Sequence, residues 1–135
     1  MDGIRYHGPL PTQEALVATL CQTRLYVSFG CSGQVGRPVL MAAACGAAVL
    51  WRQHPADRQA GGLAVLMEEG KAYLPFRSAE ELVRTSVALL KDDRRREAMA
   101  AMAADRHRHA HAMPERLRQL VGNIRRSNPE NAESR

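Results

Sequence analysis

The chain has 135 residues, of which 45% are hydrophobic and 24% are charged, and its formal net charge is +5 at pH 7. This length matches one domain of ordinary size and leaves no room for a second. The balance of apolar and charged residues is typical of a globular protein and excludes a largely disordered chain. We therefore expect one hydrophobic core.

Neither a membrane-spanning segment nor a secretory leader is predicted. No run approaches the roughly 18 to 20 apolar residues that a spanning helix needs, and residues 1–8 lack the basic and apolar regions of a signal peptide. Cys21, Cys31 and Cys45 are odd in number and widely spaced, which indicates neither a disulfide framework nor a zinc site. We expect a cytoplasmic protein with reduced thiols and no metal.

The predicted elements alternate between strands and helices. β-branched and aromatic runs bounded by glycine or proline indicate strands, and apolar residues at helical spacing after a capping residue indicate helices. The predicted strands are Ile4–His7, Leu25–Phe29, Ala47–Trp51 and Ala72–Phe76. The predicted helices begin after Thr12, at Pro38, at Leu63, after Ser78, after Asp92 or Asp93, and at Pro114.

Alternation of this kind predicts parallel strands joined by right-handed crossovers. The run Ala47–Trp51 agrees, because it is continuously apolar, as strands covered on both faces are. We therefore predict an α/β domain over residues 1–125, with a parallel sheet of about four strands flanked by helices and a helical carboxyl terminus. Residues 126–135 are predicted to be a disordered tail.

The helix after Ser78 has two further predicted features. Ser78 and Glu81 have the spacing of a capping box, in which the glutamate reaches back to the amide of the capping serine. Apolar residues then recur at helical spacing and predict the face that is buried. They are Leu82, Val83, Val87 and Leu90.

The loop Gly30–Arg37 is the predicted ligand-binding region. Open α/β sheets bind ligands beyond the carboxyl ends of their strands, and this loop leaves a strand and enters a helix. The first amides and the dipole of such a helix attract phosphate, and Gly30, Gly33 and Gly36 permit close approach to the backbone. A plain turn is the alternative, because this glycine spacing is not the dinucleotide fingerprint.

A resemblance to a known family starts in this loop. The run Gly33-Gln-Val-Gly-Arg-Pro-Val-Leu-Met-Ala-Ala-Ala-Cys-Gly-Ala-Ala-Val-Leu50 is similar to the pattern Glu-Gly-Phe-Gly-Leu-Pro-x-x-Glu-Ala-Met-Ala-Cys-Gly-x-Pro-Val-Val of retaining GT-B glycosyltransferases. The matching positions are Gly36, Pro38, Ala42, Ala44, Cys45, Gly46 and Val49. The end of the chain resembles the spore-maturation CgeB-like branch, and the similarity spans Ile4 to about Ile124.

The resemblance implies a Rossmann-like fold and the carboxyl-terminal, nucleotide-sugar-binding half of such an enzyme. It implies a nucleoside diphosphate sugar as donor, with no other cofactor, no metal and no catalytic residue in this half. The residues it places at the donor are Gly33, Gln34, Val35, Gly36, Arg37 and Met41.

Two departures from the family pattern limit that function. The family has glutamates where this chain has Gly33 and Met41, and neither residue can grip a ribose diol as a carboxylate does. Losing such hydrogen bonds typically costs on the order of 1.5 to 3 kcal/mol. The family's diphosphate-neutralising basic residues and its acceptor-binding half precede the first strand seen here. We therefore predict a fragment, truncated copy or subunit that is inactive alone.

Two alternatives remain open. The first is a non-catalytic interaction module that kept the fold and uses its basic helices or an uncovered sheet edge for contact. Such an edge also predicts self-association or pairing with a missing amino-terminal half. The second is a small dinucleotide-binding protein, which predicts that NAD binds at least as tightly as nucleoside diphosphates.

The carboxyl-terminal part is strongly basic, with eleven arginines and one lysine from Arg84 onward. Such a surface favours phosphate groups or peripheral contact with an anionic membrane. Aromatic residues make up only 4% of the chain and no reader motif is present, so no specific nucleic acid is predicted as a partner.

Histidine and tryptophan side chains give weaker signals. His107, His109 and His111 alternate along a predicted helix, so they point in different directions and predict no metal site. Trp51 and His54 follow the central strand and are candidates for contact with a nucleotide base. Burial of Trp51 or a contact within the loop is the equal alternative.

Overall fold

The computed structural model describes residues 8–30 and 35–127. Within these ranges three parallel strands form one sheet in the order β1 (Leu25–Ser28), β2 (Ala48–Arg52) and β3 (Tyr73–Phe76). The predicted α/β architecture with a parallel, Rossmann-like sheet is confirmed. The remaining predicted strand, Ile4–His7, lies outside the described residues.

Six α-helices lie before, between and after the strands in the described part of the chain. They are α1 (Gln13–Cys21), α2 (Arg37–Ala44), α3 (Leu63–Leu66), α4 (Ala79–Lys91), α5 (Asp93–Arg106) and α6 (Met113–Ser127). A 3₁₀ turn (Pro55–Arg58) precedes α3, and a π turn (His107–His111) joins α5 to α6. None of these helices is long and apolar enough to cross a membrane. The predicted tail of residues 126–135 begins inside α6, and residues 128–135 lie outside the described part.

Side-chain caps begin three of the helices. The hydroxyl of Thr12 accepts a hydrogen bond from the Ala15 amide at 3.1 Å, and the carboxylate of Asp92 accepts one from the Arg95 amide at 2.9 Å. The hydroxyl of Ser78 accepts from the Glu81 amide at 3.1 Å. These bonds satisfy amides that the first helical turn leaves unpaired, as the sequence predicts.

The predicted reach of Glu81 back to the amide of Ser78 is wrong. Its carboxylate instead accepts a hydrogen bond of 2.8 Å from the backbone N–H of Arg77, one residue earlier. The bond therefore fixes the link between the end of β3 and α4, because it joins the first turn of the helix to the residue that directly follows the strand.

Both faces of the sheet are covered. On one face, α2, α3 and the end of α5 pack around Val49, Trp51 and Tyr73, which are at most 1% exposed. On the other face, α4 and the start of α5 pack around Ala48 and Leu50, which are 0% exposed. Successive side chains of a strand point to opposite faces, so a continuously apolar β2 is what two covered faces require.

The predicted buried face of α4 is wrong in most of its positions. Leu82 is half-buried and Leu89 is fully buried, but Val83, Val87 and Leu90 are 62, 44 and 47% exposed. Apolar residues surround more than half of this helix, and only the arc that holds Leu82 and Leu89, seven positions apart, faces the sheet. On α5, Met99 is likewise buried, whereas Met102 is 45% exposed.

The outer edge of β3 is blunted. The carbonyl of Tyr73 accepts a hydrogen bond of 2.8 Å from the Gly70 amide, on the side away from β2. Phe76 uses its carbonyl toward β2, where the Gln53 amide donates to it, so the preceding residue, Pro75, faces outward. Proline has no N–H to offer another strand. The other edge belongs to β1, and no described strand pairs with its far side.

Candidate functional site

The carboxyl ends of the three strands form one rim of the sheet. Because the strands are parallel, the loops that follow β1, β2 and β3 all start at this rim, and α2 begins there after the loop from β1. Three of the predicted binding residues, Val35, Gly36 and Arg37, are therefore at the rim. Gly33 and Gln34 lie outside the described residues.

The first turn of α2 keeps two backbone amides without a described partner. Gly36 precedes the helix in an extended conformation (φ −72°, ψ 153°) and has no side chain to cap it. Pro38 lacks an N–H, and the amide of Val39 already donates to the Gly36 carbonyl at 3.2 Å. The amides of Gly36 and Arg37 donate to none of the described residues. They lie at the positive end of the helix dipole, which is a favourable position for an anion.

The start of α2 is also accessible. Gly36 and Arg37 are exposed, whereas Val35 is half-buried against the core around Trp51. A Cβ added to Gly36 would meet only the Cδ of Pro38, at 3.5 Å. The space beside the Cα of Gly36 is therefore open apart from Pro38.

The indole of Trp51 lies directly against Gly30 at the rim. Trp51 is 1% exposed, and a Cβ added to Gly30 would lie 2.8 Å from Cη2 of the indole. The glycine is required there because no side chain fits above the ring. Trp51 is thus a buried support and has no free face on which a nucleotide base could stack, so its burial is confirmed.

A buried carboxylate that the sequence analysis did not single out holds the loop after β2. Asp57 is 5% exposed, and its Oδ1 accepts a hydrogen bond of 3.0 Å from the Trp51 indole. Its Oδ2 accepts one of 2.8 Å from the His54 amide, and Nδ1 of His54 accepts one of 3.1 Å from the Ala56 amide. His54 therefore makes a contact within its own loop, which was the alternative to base contact.

This loop is compact as well as bonded. A Cβ added to Gly62 would lie 2.2 Å from the Asp57 carbonyl oxygen, so the backbone of the loop passes directly over Gly62. The signal for this arrangement is present in the sequence as His54-Pro-Ala-Asp57, a capping residue followed by proline and then by an acid at the third position.

Exposed arginines give the rim a positive character. Arg37 and Arg52 are exposed, and neither forms an ion pair with any described residue. Arg77 is held by its Nε, which donates to Oε1 of Gln53. Phe29, 56% exposed, packs edge-on against Phe76 with ring centroids 5.7 Å apart. The rim thus presents cations, unpaired amides and one exposed aromatic ring.

Met41, the last of the predicted binding residues, lies one turn beyond Arg37 on α2. Its half-buried side chain packs against the cluster of Leu20, Ala42 and Ala47 between α1 and α2. A thioether in this position supplies apolar contact to the helix pair and only a weak acceptor to any ligand.

A groove of about 1080 Å³ runs along the outer edge of β3. It contains none of the predicted binding residues. Its charged lining mixes both signs, with Arg58, Arg84, Arg95, Glu68, Glu69 and Glu81. Because the acids offset the arginines, this groove is less suited to a diphosphate than the rim.

Thiols and histidines do not form a reactive centre in the described part of the chain. Burial, reinforced by a hydrogen bond that the Cys45 thiol donates to Cys21, raises the pKa of that thiol, which opposes the thiolate form that a nucleophile needs. Burial, and then the neighbouring His111, lower the pKa of His107. No group of three metal-ligating side chains is found among the described residues.

Comparison with known proteins gives one match. A family model described as glycosyl transferase-like matches residues 2–122, which is most of the chain. No curated protein and no solved structure matches the chain.

Proposed function

Since the chain belongs to the glycosyl transferase-like family and forms a domain of the GT-B carboxyl-terminal type, we propose that it is the donor-binding half of a glycosyltransferase. The ligand is a nucleoside diphosphate sugar, and its diphosphate occupies the start of α2. The observation that carries this proposal is the exposed, uncapped first turn of α2, which has two amides without a described partner and begins with the exposed Arg37.

The chemistry of the rim suits a diphosphate. The amides of Gly36 and Arg37 donate to phosphate oxygens without competition from a capping side chain, and the helix dipole adds attraction. Arg37, the first residue of α2, and Arg52, the last residue of β2, add full charges at the same rim. Phe29 offers an apolar surface at the same rim.

The ribose end of the ligand is bound less well. Gly33 and Met41 replace the family's glutamates, and Met41 packs against the core rather than offering oxygen ligands. With the diphosphate as the main anchor, we expect affinity on the order of millimolar, equivalent to about 4 kcal/mol.

Transfer of the sugar needs groups that this domain does not supply. In the proposal the acceptor and the remaining diphosphate contacts come from an amino-terminal half, either on a longer chain or on a second subunit. The domain alone therefore binds donor but does not catalyse transfer, and none of its residues is assigned a catalytic role.

Titration with uridine and guanosine diphosphates tests the binding site. We expect the amide resonances of Gly36 and Arg37 to shift, and Arg37→Ala to weaken binding about tenfold through loss of a charged hydrogen bond of about 1.5 kcal/mol. Arg24→Ala is the matched control, because Arg24 is exposed at the opposite end of β1 and should leave binding unchanged.

Three results would contradict the proposal. These are no response at millimolar diphosphate, equal losses in the two arginine variants, and shifts confined to residues far from the rim. NAD serves as the comparison ligand, because binding of NAD at least as tight as that of the diphosphates would favour the dinucleotide alternative.

A second candidate function, a non-catalytic interaction module, is favoured by the surface of α4. Val83, Val87 and Leu90 form an exposed apolar stripe there. Together with the far side of β1, which pairs with no described strand, this stripe supports association with an amino-terminal half or with a second copy. Sedimentation over a range of protein concentrations tests self-association, and a constant monomer mass would argue against it.

A further inference from the structure

The last helix, α6, carries an exposed apolar stripe. Four of its large apolar side chains are between 45 and 71% exposed. They are Met113, Leu117, Leu120 and Val121. At 3.6 residues per turn they fall within an arc of about 100° around the helix axis, so they form one continuous surface.

Arginines border this stripe on both sides. On the same helical wheel, Arg116 lies on one flank and Arg118 on the other, each roughly 90° to 110° from the centre of the stripe. Both side chains are exposed. The acid of this helix, Glu115, lies on the opposite face, where it pairs with Arg118. Because Arg118 is paired with Glu115, Arg116 is the flanking charge that has no ion-pair partner among the described residues.

The helical backbone is interrupted just before α6. Ala112 has an extended conformation (φ −61°, ψ 147°) that separates α6 from the preceding π turn. The helix has 15 residues, which makes it about 22 Å long, shorter than the roughly 30 Å of a bilayer core. A short helix with a narrow apolar stripe and basic flanks suits the plane of a membrane interface, not a spanning position.

We propose that α6 docks the protein onto an anionic lipid bilayer. The stripe enters the boundary between headgroups and acyl chains, and Arg116 extends sideways to a lipid phosphate. A second copy of this helix fits less well, because pairing the stripes would bring the flanking arginines of two chains together. This docking surface does not depend on donor binding at the rim.

Cosedimentation of the full chain with vesicles tests the proposal. We expect binding to phosphatidylcholine vesicles that contain phosphatidylglycerol, at least about tenfold weaker binding to pure phosphatidylcholine, and a loss of binding at high salt. Val121→Asp places a charge in the stripe and should weaken binding to the anionic vesicles about tenfold or more.

Val65→Asp is the matched control. It is the same change on α3, at a side chain that is 51% exposed where Val121 is 45% exposed, and it should leave vesicle binding unchanged. Circular dichroism melts establish that both variants remain folded. Equal binding to both vesicle types, equal loss in both variants, or no vesicle binding at all would overturn the proposal. A change in sedimentation mass in Val121→Asp without any vesicle binding would instead assign the stripe to a protein partner.

Discussion

The two loops that leave β1 and β2 reach the same rim but use their polar groups differently. In the loop after β2, Asp57 binds both the Trp51 indole and the His54 amide, and His54 caps the following turn. In the loop after β1, Gly36 provides no cap, and the amides of Gly36 and Arg37 have no described partner.

In the proposed function, this contrast separates structural support from ligand binding within one fold. Polar groups that are bonded within the protein stabilise it and have little left for a ligand, whereas unpaired groups at an exposed helix start gain most from an incoming anion. The loop after β2 is thus held by its own hydrogen bonds. The loop after β1 is the place where we expect a phosphate to bind.

The largest expected effect on stability comes from comparing two glycine substitutions, one in each loop. Gly62→Ala puts a Cβ 2.2 Å from the Asp57 carbonyl oxygen, so the backbone must move, and we expect a loss of about 4 kcal/mol or more in unfolding free energy. Gly36→Ala meets only Pro38, at 3.5 Å, and should cost less than about 1 kcal/mol. Urea denaturation measures both, and equal costs would remove the distinction between the loops.

Removing the buried carboxylate should have the next largest effect. Asp57→Ala leaves the Trp51 indole and the His54 amide without their acceptor, which we expect to cost about 2 to 4 kcal/mol. Asp57→Asn keeps one acceptor oxygen and should cost about half as much. Thermal unfolding followed by Trp51 fluorescence would measure the stability of both variants. An Asn variant as unstable as the Ala variant would contradict this account.

A smaller cost is expected where the two loops meet. Gly30→Ala directs its Cβ at the Trp51 ring, 2.8 Å away, and the bonded indole has little room to shift. We expect a loss of about 1 to 3 kcal/mol. In the Asp57→Ala background the ring is released, so the same substitution should cost less. Additive losses in the double variant would show that the Asp57 bond does not hold the ring against Gly30.

The smallest effect concerns acid. Burial and His111 lower the pKa of His107 below its ordinary value of 6.5, so at lower pH the unfolded chain takes up the proton more readily than the folded protein. Stability should therefore fall as the pH drops below about 6.5, modestly because His107 is only partly buried. The π turn that contains His107 contacts α2, so hydrogen exchange should increase in α2 before it increases in the loop after β2. The variant His107→Gln should lose less stability as the pH drops. A pH dependence of stability that is unchanged in this variant would contradict the assignment of the effect to His107.

Local patterns predicted the helix starts well and the tertiary contacts poorly. The caps at Thr12, Ser78 and Asp92 are properties of a few adjacent residues, so their sequence is sufficient to identify them. Which arc of α4 meets the sheet depends on how the helix is rotated, and a helix with apolar residues on most sides does not specify this.

The candidate site shows the same division. The order of strand, glycine-containing loop and helix predicted that Val35, Gly36 and Arg37 lie at the rim, because parallel topology alone puts them there. The role of Asp57 was missed because it depends on a hydrogen bond from Trp51, which lies on β2. The two side chains become neighbours only when the turn after β2 forms. Binding by Gly36, Arg37 and Met41 stays a prediction.

The outer edge of β3 limits how this protein can assemble. Gly70 already occupies the Tyr73 carbonyl, and Pro75 offers no donor, so strand addition is opposed on that side. A sheet that accepts a further strand at only one edge can pair with one other sheet through that edge. If copies do pair through β1, we expect the joined sheet to end at a proline-bearing strand on each side, because the same two residues oppose further strand addition there.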